Sequence, residues 1–311
     1  MVEAIEGVKA GYVQLSAGRA QSPLRTALNV PPDDVTLIMP FYSPAGEGAL
    51  GLKLVSVFPS NVARGLPLIH SIVMAVDPVT GTPAALIEGS SLTAIRTGAA
   101  SGAATDILAR SDAAIVALFG AGVQARRQLE AVCTVRRIER VLVYSLVGAE
   151  EFAAEMAGTG PVPADITVAA SPREAVIAAD IICTATTTRT PVFDGRDVRP
   201  GTHINGIGSF TPEMQEIDAA TVRRARVFVD SVEAALAEAG DLLIPLNAGE
   251  IALDHFNTEL GQVIAGIKPG RTSADDITFF KSVGVSVQDA MAAQIILRNG
   301  PALGLGKTIE L

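Results

Sequence analysis

Three cations in the first hundred residues stand where a charge is costly. Arg25 lies in "SPLRTAL", Lys53 in "LGLKLVSVFPSN" and Arg96 in "LTAIRTGAASG". Their neighbours are apolar or tightly turned, and a positive charge in such surroundings is expensive to bury unless an anion meets it. One alone reads as a long side chain that lays its stem on apolar surface and keeps its head in water. Three together read as a clamp for a carboxylate.

A second constellation is glycine-based. In "LFGAGVQAR", Gly120, Gly122 and Ala125 take the GxGxxA spacing directly after a predicted strand and at the start of a predicted helix, with Ala121, Val123 and Gln124 between them. The first glycine permits a tight turn, the second lets backbone approach a pyrophosphate, and the small third residue lets helix and strand pack closely. The helix N-terminus then offers free N–H groups to the anion. About twenty residues on, an acidic side chain would bind the ribose hydroxyls of NAD. The strand there ends in Ser145 and Leu146, without an Asp and without an Arg suited to a 2′-phosphate, so Ser145 is the cofactor contact expected at that position, and the expected cofactor is NAD(P)H with the preference left open. "CTATTT" (183–188) ends the fourth strand of this region, beside the crossover where a dinucleotide lies. Thr184, Ala185 and Thr186 read as ribose or nicotinamide contacts, or as β-branched residues that simply finish a strand.

The third candidate is the loop "NGIGSFTPEMQEID" (205–218), whose first eight residues carry no carboxylate, lysine or histidine. Gly208 is expected against the cofactor. Ser209 and Thr211 read either as hydrogen-bonding groups for a substrate or a water, or as loop caps.

The elements that must position these residues are legible as patterns. "AAIVALFG", "RVLVYS", "DITVAA", "IICTAT", "HINGIG" and "RVFVD" read as strands, separated by helical stretches such as "VQARRQLEAV" and "AEEFAAEMA". Continuous apolar strands alternating with helices indicate a parallel sheet covered on both faces. Before them, "LKLVSVFP" (52–59) and "HSIVMAVDPVTGTPAALIEG" (70–89) read as strands, the second folded into a hairpin at the Asp-Pro turn. "SSLTAIRTGAASGAATDILAR" (90–110) reads as a long helix with serine caps. "SVGVSVQDAMAAQIILRN" reads as a helix that returns the chain to the first domain. The expected class is α/β: a Rossmann-type parallel sheet over 109–284, inserted in a substrate-binding and dimerisation domain made of 1–108 and completed by 285–311. A cleft between the two is the expected ligand site.

Composition narrows the partners. A length of 311 residues with 49% hydrophobic content suits two cores. A formal charge of -9 without a Lys/Arg run disfavours nucleic acid. No apolar run reaches the roughly 18 residues that a membrane span needs, and no signal peptide pattern opens the chain. With only Cys133 and Cys183, a disulfide framework is not expected and a cytoplasmic location is. His70, His203 and His255 are scattered, so a metal site is not expected.

At these same residues the chain resembles the ornithine cyclodeaminase/μ-crystallin family. The resemblance is carried in order by "PLRTAL", "MPFY", "LKLVSVFPSN..RGLP", "SLTAIRTGAASGAA", "GAGVQA", "CTAT", "PGTHINGIG", "VDSVEAALAEAGDL" and "FKSVGVSVQDAMAAQ", from about residue 20 to residue 298. It implies a homodimer built through the first domain, an NAD(P)-binding Rossmann domain, and a substrate α-carboxylate held at Arg25, Lys53 and Arg96. It also implies that most relatives carry an additional strand and helix start ahead of residue 1. Guanidinium forks suit a bidentate carboxylate and lysine adds a compact charge, in agreement with that role.

Within the family, cyclodeaminases, alanine dehydrogenases and ketimine reductases divide the chemistry. The cyclodeaminase loop resembles "GxDxPGKxEL"; here Phe210 falls at its Asp and Met214 at its Lys. Expelling ammonia calls for a positioned acid/base at nitrogen. Reducing a preformed cyclic imine needs an anchored carboxylate, a protonated imine and a hydride donor against one face. The resemblance therefore implies a reductase of Δ1-pyrroline-2-carboxylate, and of Δ1-piperideine-2-carboxylate, yielding L-proline or L-pipecolate. Phe210 packs on the ring in this reading, and Lys53 helps deliver the proton. Alanine dehydrogenase or ornithine cyclodeaminase activity is the alternative, and a non-catalytic ligand binder is the alternative of another class.

Overall fold

The computed structural model describes residues 1–309. Helix α1 (Val2–Ser16) opens the chain. It is followed by an antiparallel meander of β1 (Thr26–Val30), β2 (Asp34–Ser43), β3 (Ala49–Val57), β4 (Ile69–Val76) and β5 (Pro83–Glu88). Side chains alternate across a strand with period two, so β3 turns Gly51, Lys53 and Val55 inward and presents Leu52 and Leu54 on the opposite face. Lys53 pairs in register with Met39 on one side and Val73 on the other, which places its ammonium in the middle of the sheet's buried face.

Helix α2 (Gly89–Leu108) follows β5. Its cap is Glu88, whose carboxylate accepts the N–H groups of Ser90 and Ser91, and not the serines expected from sequence. The helix starts a residue earlier because Gly89 lies flush against β4, where a Cβ would come within 2.3 Å of Ser71 Oγ. Small residues along α2 serve close packing: a Cβ at Gly98 would sit 2.5 Å from the Arg127 carbonyl oxygen.

The second sheet holds β6 (Ile115–Phe119), β7 (Arg140–Tyr144), β8 (Ile166–Val168), β9 (Ile181–Thr184), β10 (His203–Gly206), β11 (Ala225–Val229) and β12 (Ile277–Lys281). Its spatial order is β8-β7-β6-β9-β10-β12-β11 and every pair is parallel. The covering helices are α3 (Val123–Val135), α4 (Ala149–Met156), α5 (Pro172–Ala178), α6 (Ala219–Arg224), α7 (Val232–Glu238), α8 (Gly240–Asn247) and α9 (Leu260–Ile264). Strands β9, β10 and β12 are buried throughout, as expected of a sheet covered on both faces.

Helix α10 (Ser286–Ala302) then crosses back to pack on α1, α2, β2, β3 and β4. It closes the buried face of the first sheet with Ala290 and Ala293 against Phe41, Val73 and Leu92. Strands β1, β2 and β12 were not anticipated. All five residues of β1 are exposed, so no alternation marks it, and a five-residue apolar run such as "ITFFK" is ambiguous between strand and helix without its neighbours.

A candidate active site between the two sheets

The carboxyl ends of β6, β9 and β10 face the buried edge of the antiparallel sheet across a cavity of about 200 Å³. One wall is Leu37 and Met39 of β2, Lys53, Val55 and Val57 of β3, and Thr93, Arg96 and Thr97 of α2. The other is Gln124, Ala185, Thr186, Thr187, Ile207, Gly208 and Phe210, with Ser282, Val283 and Gly284 closing the end. Arg25 also lines it, so the cleft gathers all three expected cations. No carboxylate lines it among the described residues.

The cations are compensated from within the chain, a point the sequence reading missed. Lys53 Nζ donates to both oxygens of Asp289 at 2.9 and 2.8 Å, and Arg96 Nε donates to Asp289 Oδ1 at 3.1 Å. Asp289 is fully buried on α10. Burial, and next the neighbouring Arg96, bring the Lys53 ammonium down to about 7 against the pull of Asp289. Arg96 also donates to Gln288, whose amide reaches the Tyr12 hydroxyl on α1. Gly284, at φ +85°, leaves room for this guanidinium, since a Cβ there would come within 2.7 Å of Nη1.

Arg25 is held differently. Its Nε and Nη2 pair with Glu238, Nη2 also donates to the Phe210 carbonyl oxygen at 3.0 Å, and its guanidinium carbon is 5.8 Å from the Phe210 ring centroid. Burial pushes the Glu238 carboxyl above its ordinary value in spite of Arg25. Three cations against Glu238 and Asp289 leave one surplus positive charge beside the apolar side chains of Leu37, Met39, Val55 and Val57. Such a cleft suits one carboxylate on a compact hydrocarbon ring.

The glycine turn is built for close approach. Gly120 takes φ +103°, and a Cβ there would lie 2.6 Å from the Ala185 carbonyl oxygen. At Gly122 a Cβ would meet nothing within 4 Å, so the space above it is open. Gly122 caps α3 without any side-chain hydrogen bond, which leaves the first N–H groups of that helix free. Ala125 is fully buried where helix and strand meet. Gln124 Oε1 and Thr93 Oγ1 are buried without a hydrogen-bond partner among the described residues, and both residues line the cavity. A helix N-terminus above an open glycine, beside an unpaired amide oxygen, fits a pyrophosphate and an adjoining polar ring.

Several expected positions look elsewhere. Ser209 is fully buried: its hydroxyl donates to Asp241 and accepts from Lys281, so it is not available to a substrate. Thr184 is also fully buried, its hydroxyl donating to Glu216 at 2.9 Å. Thr211 lines a neighbouring chamber with Pro212 and Asp33. The Ser145 hydroxyl turns onto the Val147 carbonyl oxygen. Ser209 and Thr184 are taken up by charged groups that tertiary packing brings to them, and Ser145 by the backbone of its own loop. Asp241, Lys281 and Asp289 all stand inside stretches quoted above, "AGDL", "FKSVG" and "VQDA", but nothing local in those stretches marks them as buried.

The strand order 3-2-1-4-5 read outward through β8, β7, β6, β9 and β10, with the glycine turn after β6, defines a Rossmann-type α/β protein whose cleft is shared with a second, antiparallel sheet. The chain belongs to the ornithine cyclodeaminase/mu-crystallin family, whose model matches residues 1–300. A Delta(1)-pyrroline-2-carboxylate reductase of Bacillus cereus is 42% identical over 312 residues, covering 100% of this chain and 95% of that protein. The structure of Thermococcus litoralis Delta(1)-pyrroline-2-carboxylate reductase in complex with NADH and L-proline superposes with a TM-score of 0.94 at 43% identity, over 98% of this chain and 95% of that one. An archaeal alanine dehydrogenase dimer with bound NAD superposes with a TM-score of 0.93 at 31% identity, over 100% and 95% of the two chains.

Proposed function

We propose that this protein is an NAD(P)H-dependent reductase of a cyclic ketimine carboxylate, with Δ1-pyrroline-2-carboxylate as the leading substrate and Δ1-piperideine-2-carboxylate as the next. The observation that carries the reading is a cleft with one surplus positive charge, an apolar wall and no carboxylate among the described residues that line it. A substrate with a second amine, as in ornithine, or with a second carboxylate would leave its extra charge unpaired there. The similarity to the two pyrroline-carboxylate reductases supports the same reaction.

Arg25, Lys53 and Arg96 hold the carboxylate in this reading, and Leu37, Met39, Val55 and Phe210 enclose the ring. Gly120, Ala121, Gly122, Val123 and Gln124 receive the dinucleotide pyrophosphate, and Ala185, Thr186 and Gly208 border the nicotinamide. When bound, the reduced cofactor supplies a hydride to the imine carbon while nitrogen takes a proton, so that C=N becomes CH–NH and the cofactor leaves oxidised. Lys53, which the bound carboxylate keeps protonated, holds that proton in this reading and releases it toward nitrogen.

The division into 1–108 with 285–311 and 109–284 follows the same reading, since α10 packs on the first sheet. A homodimer through the antiparallel sheet is supported by Leu54, Ile72 and Leu86, which are exposed together on its outer face.

The test is a comparative assay in which NADH or NADPH is offered with pyrroline-carboxylate, piperideine-carboxylate or pyruvate plus ammonia, and L-ornithine is offered with NAD. Imine reduction well above the other reactions is expected. Robust ornithine turnover with no imine reduction would overturn the reading.

A further inference from the structure

The loop that lacks a carboxylate at its tip brings one from its far end. Glu216 folds back beneath residues 208–210 and is fully buried. Its Oε2 accepts from Thr184 Oγ1 at 2.9 Å, Gly208 N at 2.7 Å and Ser209 N at 3.1 Å; its Oε1 accepts from Thr186 N at 2.6 Å and Thr186 Oγ1 at 2.7 Å. Both oxygens thus accept from backbone N–H groups, which can only donate, so the ionised form is the one this cradle fits. Burial and Asp241 push its pKa upward, and Lys281 and the Thr186 donors pull the other way.

Behind Glu216 lies Asp241, also fully buried. It accepts from Glu216 N at 2.7 Å and Ile217 N at 3.0 Å, and pairs with Lys281 Nζ at 2.9 Å. Lys281 is itself fully buried and donates to Ser209 O at 2.6 Å. Two carboxylates against one ammonium leave a buried surplus of one negative charge. Asp230, bonded to Ser282 Oγ at 2.7 Å and to the N–H groups of Val283 and Gly284, adds to the same sign at the closed end of the cleft.

The cleft is therefore polarised. Its antiparallel-sheet wall carries surplus positive charge, and the floor under Thr186 and Gly208 carries surplus negative charge. We propose that Glu216 and Asp241, opposed by Lys281, are positioning residues that set an electrostatic preference for the oxidised over the reduced nicotinamide, and in this way favour hydride departure toward the substrate. The oxidised ring bears a positive charge that the reduced ring lacks. A fixed negative floor stabilises that charge as it develops, without reorganisation. The inference rests on the reductase reading, and it adds residues that touch neither substrate nor cofactor.

The sign of each substitution makes the test. Dissociation constants for NADH and NAD+, and for NADPH and NADP+ alongside, are measured by fluorescence and calorimetry on the native protein, Glu216→Gln, Asp241→Asn, Lys281→Met and the double variant Lys281→Met/Asp241→Asn. Glu216→Gln and Asp241→Asn remove a negative charge and are expected to raise the ratio Kd(NAD+)/Kd(NADH) about tenfold. Lys281→Met removes the opposing charge and is expected to lower it. The double variant, which keeps the native surplus of one, is expected to return near the native ratio and covers the case in which Lys281→Met alone does not fold. Damage to packing alone would weaken both forms of the cofactor without regard to sign. Ratios that all move in one direction, or do not move, overturn the inference while leaving the reductase reading intact. A native protein that binds neither form, or binds both and reduces no imine, overturns the reductase reading instead.

Discussion

The charge count in the clamp makes the pH dependence of ligand binding calculable. Arg25, Lys53 and Arg96 face Glu238 and Asp289, so the cluster holds a surplus positive charge while Lys53 is protonated and none once it is neutral. Lys53 in the free protein changes state at about 7, because burial and Arg96 outweigh Asp289. A ligand carboxylate at about 4 Å, at an effective dielectric constant near 20, contributes about 4 kcal/mol, which carries the ammonium back toward its ordinary lysine value. Above pH 7 the complex must then take up a proton that the free protein has lost. Affinity is expected to fall about tenfold per pH unit, or about a hundredfold between pH 7 and pH 9. Pyrrole-2-carboxylate is a suitable probe, since its own carboxylate does not titrate in that window. Its Kd would be read by fluorescence with saturating NADH, and proton uptake by calorimetry in buffers of different ionisation enthalpy. In Lys53→Met the binding is expected to be weaker and level with pH. A Kd level from pH 6 to pH 9 in the native protein, or the same slope surviving in Lys53→Met, would refute the reasoning.

Other outcomes follow from the same geometry. With Lys53 at about 7 when folded and 10.5 as the ordinary value, the unfolded chain binds more protons between those limits. The contribution of Lys53 to stability therefore rises with pH across the window, by up to about 5 kcal/mol, and the native urea midpoint is expected to rise relative to that of Lys53→Met from pH 7 to pH 10. Asp289→Asn strands two buried cations; a loss of about 3–5 kcal/mol is expected, and a carboxylate ligand should recover more thermal stability in this variant than in the native protein. Gly120→Ala forces a side chain into φ +103° and against the Ala185 carbonyl, and should cost more than about 1 kcal/mol in denaturant unfolding. Gly122→Ala meets open space and should stay within about 1 kcal/mol of native stability while weakening NADH binding at least about tenfold, a contrast that a purely structural role for Gly122 would not produce.

The parallel sheet, its crossover helices and the glycine turn were legible because each depends on local pattern: buried β-branched runs, helical periodicity and a fixed glycine spacing. The clamp was legible for a related reason, since a cation in an apolar strand signals its own cost. Strand β1 was not, because an exposed strand carries no alternation. The hydroxyls of Ser209, Thr184 and Ser145 misled, because residue type says what a side chain can bond but not which partner reaches it first.

Sequence alone thus determined the fold class, the place of the dinucleotide turn and the three cations that meet in one cleft. Only tertiary structure decided their charge state and company. Asp289 lies 236 residues from Lys53 along the chain, and Glu238 lies 213 from Arg25. Asp241 and Lys281 reach Ser209 only through the packing of α8 and β12 around β10. Buried electrostatics is set by distance and desolvation in three dimensions, and neither is encoded in the spacing of residues along one.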